Sequence, residues 1–335
     1  MLVEEQLRQE SAGERVPTGL YHPYRHTLLT PKQIKEFSKL QPWKSITAIA
    51  LCWAFLLAAF SMVAFHPTWW TILLAIPVIG NRYYALFIIG HDGMHRRIFP
   101  NVKRNDFWTD LLILAPIGAI TRLNNRNHLA HHSSLSTPQD PDRHKHACFN
   151  KADHAELLGF LSGVNSVWNT VKGVYGARHN KNSGGAPSTV GYSVRDFAML
   201  FGWFVFLAGC LTWWIGWWAY PLLWLLPVYL FMFLGDNFRS FAEHSHPKSD
   251  RDSDEHRMIS YLSNPFERAL ISPMNMNYHA VHHLWPSIPY YNLPKADCLV
   301  RQHPDSTALE WRKSYCAYLW KYWSALPIVE CKQAR

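Results

Sequence analysis

Paired cysteines are missing from this 335-residue sequence, because its six cysteines include no C-x-x-C motif. The sequence therefore argues against a disulfide scaffold and against a cysteine-based zinc or iron–sulfur site. Charge is scarce as well, since 17% of the residues are charged, whereas soluble proteins average about 25%. The hydrophobic content of 48% excludes intrinsic disorder. The sequence also has no nucleic-acid-binding motif, and its acidic, polar first 20 residues predict no cleavable signal peptide.

Long uncharged runs are present instead. Residues 46–65 form a 20-residue run without a charge, which as a helix is long enough to cross a bilayer core of about 30 Å. A second run, 68–89, is interrupted only by Asn81 and Arg82. The third, 197–235, would be about 58 Å long as one helix, nearly two crossings, and its tryptophan cluster at 213–218 is the natural fold point. These runs predict two helical hairpins, hence four spans.

Basic residues predict the orientation. They are frequent before the first span and after the second, and absent from the two hairpin tips, which places both termini and the middle segment in the cytoplasm. We expect an all-α integral membrane protein of four transmembrane helices, capped by a cytosolic helical domain, in the bacterial inner membrane or the endoplasmic reticulum. The segments are an N-terminal cytosolic part (1–45), hairpin one (46–89), a cytosolic part (90–195), hairpin two (196–235) and a C-terminal cytosolic part (236–335).

Two stretches of the cytosolic part left alternatives open. The amphipathic patches 107–120 and 157–175 fit helices on the membrane surface and equally fit ordinary helices of the cap. Segments 180–187 and 249–256 are predicted loops. Arg82 is a charged residue within the second run, where burial in lipid would be costly. We therefore expect the second helix to continue past the membrane and carry its last turns into the cytosol.

Histidine is the residue in excess, with 19 copies. Nine of them occupy four places: an H-x-x-x-H motif, two H-x-x-H-H motifs and one position after the fourth span. These are His91, His95, His128, His131, His132, His244, His279, His282 and His283. Residues four apart lie about 40° apart around a helix, so H-x-x-x-H points two imidazoles one way, and we expect H-x-x-H-H to add a third on that face.

Chance decides how specific these motifs are. A single H-x-x-x-H arises about once by accident at this histidine frequency, and the match of His22 with His26, interrupted by Pro23, receives no function. H-x-x-H-H is expected about 0.06 times, so two copies in one chain are rare. Satisfied core histidines are the alternative interpretation. Nine imidazoles suit two metals with four or five each, although imidazole accepts zinc, copper, iron and nickel alike.

The position of the histidines relative to the spans favours some functions over others. The histidines gather at the predicted cytosolic ends of spans, where a lipid chain reaching up from the bilayer meets them, whereas a metal transporter places its ligands near the midplane. Carboxylates and amides that accept the outer imidazole N–H orient such ligands. Asp92, Asp236, Glu243 and Asn277 are the candidates for this role, together with Ser240, and an ordinary surface or cap role is the alternative interpretation.

Between about residues 46 and 295 the sequence resembles the membrane-bound fatty acid desaturase family of diiron, histidine-rich enzymes. The resemblance lies in box one (90–95), in box two (128–132), in segment 239–244 and above all in box three with its tail, H-H-L-W-P-S-I-P-Y-Y-N-L-P (282–294). It implies four spans topped by a cytosolic helical cap. It also implies that the eight box histidines and His244 bind two iron ions, with O2 as co-substrate.

One position departs from the family pattern. Members that act on acyl-CoA have an asparagine one turn before the extra histidine, where this chain has Ser240. A water-mediated ligand at that corner and acyl-CoA as the substrate are therefore not supported. The sequence shows neither the haem-binding segment of a fused cytochrome b5 nor a ferredoxin cysteine pattern. We expect electrons from a separate ferredoxin or cytochrome b5, whose acidic surface would suit a chain of net charge +9.

The predicted function is an O2-dependent diiron desaturase that introduces a C=C bond into an acyl lipid. A hydroxylase or ketolase of lipid or terpenoid substrates on the same scaffold is the first alternative. A membrane metal transporter is the remote one. Desaturation and oxygen insertion share the same attack on a saturated C–H bond, and the sequence does not separate them.

Overall fold

The computed structural model describes residues 24–135, 137, 139–146, 152–164, 167–168, 193–246 and 257–326. The predicted loops 180–187 and 249–256, His22, and most of the second amphipathic patch beyond residue 164 lie outside the described residues.

The described chain is mostly helical, as expected. In order, the first ten helices are α1 (Tyr24–Thr27), α2 (Pro31–Phe37), α3 (Pro42–Phe65), α4 (Trp69–Met94), α5 (Val102–Thr109), α6 (Thr121–Ser134), α7 (Arg143–His146), α8 (His154–Leu161), α9 (Val194–Trp214) and α10 (Pro221–His244). There follow strand β1 (Ile259–Tyr261), helices α11 (Pro265–Leu270), α12 (His279–Leu284) and α13 (Leu293–Gln302), strand β2 (Glu310–Arg312) and helix α14 (Tyr315–Ala325). Short π- and 3-10-helical turns, Asp110–Leu114 and Ala115–Ile117, connect α5 to α6, and another 3-10 turn, Pro304–Ala308, precedes β2.

Four helices, α3, α4, α9 and α10, are long and apolar enough to cross a membrane, which confirms the four predicted spans. The turn between α3 and α4 is closed by a capping box, in which the Thr68 hydroxyl accepts from the backbone N–H of Thr71. At the other hairpin tip, Trp213 and Trp217 are 88% and 80% exposed, as interfacial tryptophans are. The chain is a multi-pass membrane protein.

Helix α4 continues without a break to Met94, five residues past the predicted end of the span at Ile89. Its last turns, from Ile88 to Met94, are buried, so this end of the helix is enclosed by the rest of the protein rather than by lipid. The expected continuation of the second helix is thus present, and it carries His91 into the protein interior.

Helix α10 is widened by two π-helical stretches, Pro221–Leu225 and Tyr229–Leu234. Pro227, between them, has no backbone N–H and so cannot donate to the preceding turn, a common cause of such irregularity. The helix regains α geometry at Gly235 and ends at His244.

A small parallel sheet is the departure from the purely helical prediction. Ile259 of β1 pairs with Glu310 of β2, and Tyr261 with Arg312. The Arg312 guanidinium reinforces the pairing, because it donates to the hydroxyl of Tyr261 on β1 at 3.3 Å. It also lies 3.8 Å from the centre of the Tyr318 ring of α14. The sheet fixes the chain that leads from the end of α10 to α12.

Candidate metal centre

The nine histidines that the sequence singled out meet in one cluster. His91 is on α4 and His95 directly follows it, α6 carries the second motif, His244 ends α10, and α12 carries the third motif. Eight of the nine side chains are buried, and His128 is half-buried. Elements far apart in sequence therefore place their imidazoles together inside the protein.

Five imidazoles form one part of the cluster, called here the five-histidine group. Their candidate ligand nitrogens all lie within 4.8 Å of one another: His91, His95, His128, His132 and His282. The Nε2 atoms of His95 and His128 are 2.8 Å apart, and those of His128 and His132 are 3.1 Å apart. This group joins α4, α6 and α12 at one point.

The remaining imidazoles form the four-histidine group. Ring nitrogens of His131, His244 and His283 lie within 4.8 Å of one another. The fourth member is His279, whose Nε2 is 2.9 Å from that of His244 and 3.0 Å from that of His283. The two groups adjoin each other where the His132 and His283 rings stack with their centroids 4.1 Å apart.

The expectation that each H-x-x-H-H motif presents three imidazoles on one face is wrong. In α6 the outer pair, His128 and His132, belongs to the five-histidine group, while His131 belongs to the other. In α12 the assignment is reversed, since His282 alone faces the five-histidine group. Adjacent residues lie about 100° apart around a helix, so the two consecutive histidines of each motif point into different groups.

Helix α5 packs closely against the end of α4 that carries the first motif. The glycine between its two histidines, Gly93, has no space for a side chain, because an added Cβ would lie 2.4 Å from Oγ1 of Thr109 on α5. The Asn105 side chain donates to the Gly93 carbonyl at 2.7 Å. The absence of a side chain at Gly93 therefore lets α5 pack directly against the histidine-bearing end of α4.

The donor set fits metal ions. A neutral imidazole has one N–H and one lone pair, so the single Nε2 of His128 cannot satisfy both His95 and His132 by ordinary hydrogen bonding. Both ring nitrogens of His282 are buried without a hydrogen-bond partner among the described residues. Burial of such nitrogens is costly unless something accepts their lone pairs. Bound cations would do so for both groups.

The electrostatics favour the ligand form of histidine. Burial, together with nearby positive charge, holds the pKa values of His95, His128 and His132 well below the ordinary value. Burial likewise lowers the pKa of His282 to about 3. These rings are therefore neutral at physiological pH, and a neutral imidazole is the species that binds a metal.

Two members of the four-histidine group have a hydrogen-bond acceptor at the outer nitrogen, and a third has a carboxylate nearby. The Nδ1 atom of His131 lies 2.8 Å from Oδ1 of Asp140, and that of His244 lies 2.9 Å from the backbone carbonyl oxygen of Arg257. Glu243 Oε2 is 3.4 Å from Nδ1 of His279, within ion-pair distance although poorly aligned for a hydrogen bond. These contacts leave the Nε2 atoms free to face the interior of the group.

Asp140 and His146 were missed by sequence reasoning. Asp140 accepts from both His131 and His146, and His146 in turn lies 3.1 Å from the guanidinium of the buried Arg257. Burial alone would raise the pKa of Asp140, but its two imidazole partners hold that pKa well below the usual range. The one signal for Asp140 in the sequence is that it lies close to a histidine motif, eight residues after the end of the second one.

The other predicted supporting residues bind elsewhere. Asp92 accepts from the backbone N–H of Tyr290, Asp236 pairs with Arg239, and Asn277 donates to the carbonyl of Tyr261. Ser240 is half-buried on α10 and makes no hydrogen bond to an imidazole within the described ranges. Of the five candidates, Glu243 is the one placed beside an imidazole nitrogen.

The tail of the third motif fastens the N-terminal helices to the cluster. Tyr291 accepts from the backbone N–H of Gln41, and the Asn292 side chain donates to the carbonyl of Phe37. The Ser287 hydroxyl meets that of Ser38 at 2.9 Å. With the Asp92–Tyr290 bond, these contacts explain why the tail is rich in polar and aromatic residues.

Fold and cluster together define an integral membrane protein with two adjoining groups of histidines suited to metal binding. The fatty acid desaturase profile matches residues 67–315, about three quarters of the sequence, so the chain belongs to the fatty acid desaturase family and is an oxidoreductase. The buried clusters are consistent with the diiron site typical of this family.

Two curated relatives show the range of chemistry. The chain is 26% identical over 285 residues to a dihydrorhizobitoxine desaturase of Bradyrhizobium elkanii, a match that covers 81% of this chain and 79% of the relative. It is 25% identical over 250 residues to a beta-carotene ketolase of Paracoccus sp. (strain N81106), covering 71% of this chain and 88% of the relative. One relative is named for desaturation and the other for ketone formation.

Proposed function

We propose that this protein is an O2-dependent desaturase that introduces a C=C bond into an acyl chain of a lipid, with two irons bound by the nine clustered histidines. The observation that carries the proposal is the convergence of two complementary histidine groups at the ends of α4 and α10 in a chain of the fatty acid desaturase family. We further propose that this end faces the cytoplasm, as the distribution of basic residues favours.

The residues divide the task between them. His91, His95, His128, His132 and His282 would hold one iron, and His131, His244, His279 and His283 the other. When bound, the iron pair would supply O2 activation and the oxidising power that a saturated C–H bond requires. Burial excludes water from the two groups, and packing of α4, α6, α10 and α12 fixes the directions of the imidazoles.

Electrons have to come from a partner in this proposal. Exposed basic side chains lie on and beside the helices that carry the first two motifs, among them Arg96, Lys103, Arg104 and Arg126. A surface of this sign attracts an acidic protein such as a ferredoxin or a cytochrome b5 and speeds its encounter.

A ketolase or hydroxylase is the second candidate, and the similarity to a beta-carotene ketolase supports it. Both reactions begin with the same C–H bond and differ in whether a second hydrogen is lost or oxygen is gained. Products therefore separate the two.

The test is lipid and terpenoid profiling by mass spectrometry of a host with and without the gene. A desaturase gives products two hydrogens lighter than their precursors, and 18O2 leaves no label in them. Products that carry 18O would replace the desaturase with an oxygenase. A host whose lipids and terpenoids are both unchanged, despite iron-loaded protein in the membrane, would contradict the proposal.

A further inference from the structure

A polar pocket of about 320 Å³ lies beside α4 on the membrane side of the histidine cluster. Residues from α4, from α11 and from the segment that connects α11 to α12 line it, notably Arg82, Arg268, Ser272, Met274, Asn275 and Asn277. Asn81 fixes this segment against α4, because its side-chain amide donates to the carbonyl of Ala269 at 2.7 Å. The pocket is therefore a built part of the fold.

Two guanidinium groups, those of Arg82 and Arg268, line the pocket. Arg82 donates to the neutral Asn81 side chain, and Nε of Arg268 is buried without a hydrogen-bond partner among the described residues. Neither arginine forms an ion pair with a carboxylate in the parts of the chain that the structure describes. The nearby acid, Glu267, faces α14 and accepts there from the hydroxyl of Ser314 at 2.6 Å. An anion in this pocket would gain charge-assisted hydrogen bonds from both arginines.

An apolar cluster lies next to the pocket, on the part of α4 between Arg82 and His91. Tyr84, Ile88 and Met276 are fully buried together, and Met274, which lines the pocket, packs against them. Tyr84 and Ile88 follow Arg82 along α4 in the direction of His91, which is about 13.5 Å farther along the helix. Methionine side chains are unbranched and adaptable, so this cluster suits a path along which an alkyl chain can lie.

The backbone of the pocket is held in an uncommon form. Met274 and Asn275 both have left-handed conformations, with φ of 55° and 60°. Consecutive non-glycine residues in this region are strained, and such strain is concentrated at ligand-binding segments. Phe266 of α11, next in sequence to the pocket-lining Pro265, is 73% exposed.

We infer that this pocket binds the anionic head group of the lipid substrate, and that the alkyl chain runs from it past Met276 and Ile88 to the histidine cluster. The inference rests on the proposed lipid oxidation and narrows its substrate to a lipid that ends in a carboxylate or a phosphate. A neutral terpenoid has no group that would neutralise Arg82 and Arg268.

The test measures binding to full-length protein in micelles of dodecyl maltoside, a detergent with neither charge nor phosphate. The probes are stearate and octadecan-1-ol, which share the alkyl chain length and differ in charge, with phosphatidylglycerol as a competitor that carries a phosphate. The variants are the double substitution Arg82→Gln with Arg268→Gln, the charge-retaining pair Arg82→Lys with Arg268→Lys, and Lys321→Gln as a control. Lys321 is an exposed cation on α14 that does not line the pocket.

Wild-type protein should bind stearate about tenfold or more tightly than octadecan-1-ol, or should bind phosphatidylglycerol with that preference if the head group is a phosphate. The double glutamine variant should lose the preference, whereas the lysine pair and Lys321→Gln should keep it. Equal binding of charged and neutral probes by the wild type, or an undiminished preference in the glutamine variant, overturns the inference.

Binding needs no turnover, so the two proposals fail separately. Charge-dependent binding in a protein that oxidises no lipid would refute the proposed function alone. Desaturation without charge-dependent binding would refute the head-group site alone.

Discussion

The five-histidine and four-histidine groups differ in what stands behind their imidazoles. In the four-histidine group, Asp140 and the Arg257 carbonyl are hydrogen-bond acceptors for the outer nitrogens of His131 and His244. The Nδ1 atoms of the other two rings, His279 and His283, have no hydrogen-bond partner among the described residues. In the five-histidine group, the Nδ1 atoms of His91, His132 and His282 have no hydrogen-bond partner among the described residues. One group has the larger number of imidazoles, and the other has two imidazoles, those of His131 and His244, whose tautomer and direction are fixed by a hydrogen bond at the outer nitrogen. The two groups thus differ both in the number of imidazoles and in the hydrogen bonds that the outer nitrogens make.

The two groups are nevertheless built from the same helices. Each H-x-x-H-H motif gives two imidazoles to one group and one to the other, so α6 and α12 bridge them in opposite senses. This arrangement couples the occupancy of the groups, because displacement of either helix moves ligands of both.

In α6 and in α12, one imidazole belongs to a different group from the other two of its motif. Removal of that imidazole should have the largest effect on activity and iron content. His131→Ala and His282→Ala should each abolish turnover and lower the iron content from about two per chain to about one, since each deletes a proposed ligand of one group. Iron analysis of purified protein together with a product assay checks this. His66→Ala, an exposed imidazole at the first hairpin tip, is the matched control. Substantial activity in either variant would remove that residue from the ligand set.

Replacing Asp140 tests the outer support. Asp140→Asn keeps the size of the side chain but removes the charge that faces His131, so we expect metal affinity about 10- to 100-fold weaker in the four-histidine group. The measurement is iron retention against a chelator, combined with a Mössbauer spectrum in which one of two iron signals changes. Asp142→Asn is the control, because Asp142 pairs with Lys145 at 3.2 Å rather than with an imidazole. Equal changes in both iron signals would contradict the division into two groups.

Asp92→Asn should have the smallest effect. This carboxylate accepts from the backbone of Tyr290, and an asparagine oxygen can accept the same bond, so iron retention should fall by less than about tenfold. The same chelator assay compares Asp92→Asn with Asp140→Asn directly. A loss for Asp92→Asn as large as that for Asp140→Asn would mean that Asp92 supports the imidazoles after all.

The sequence predicted the spans and the convergence of the histidines, because apolar length and helical spacing are local properties. It did not predict Asp140, because the contact of Asp140 with His131 follows from tertiary packing rather than from helical spacing. The split of each motif between two groups was also missed, since it depends on where α4 and α10 stand relative to α6 and α12. The β1–β2 sheet has strands of three residues about 50 apart in sequence, too short to leave a periodic signal.

The most direct test of the account is the metal content of the full-length protein, purified after growth with 57Fe, by elemental analysis and Mössbauer spectroscopy. The account predicts close to two irons per chain, in two unequal spectroscopic environments that correspond to the five-histidine and four-histidine groups. One zinc per chain and no iron, after iron-replete growth, would contradict it.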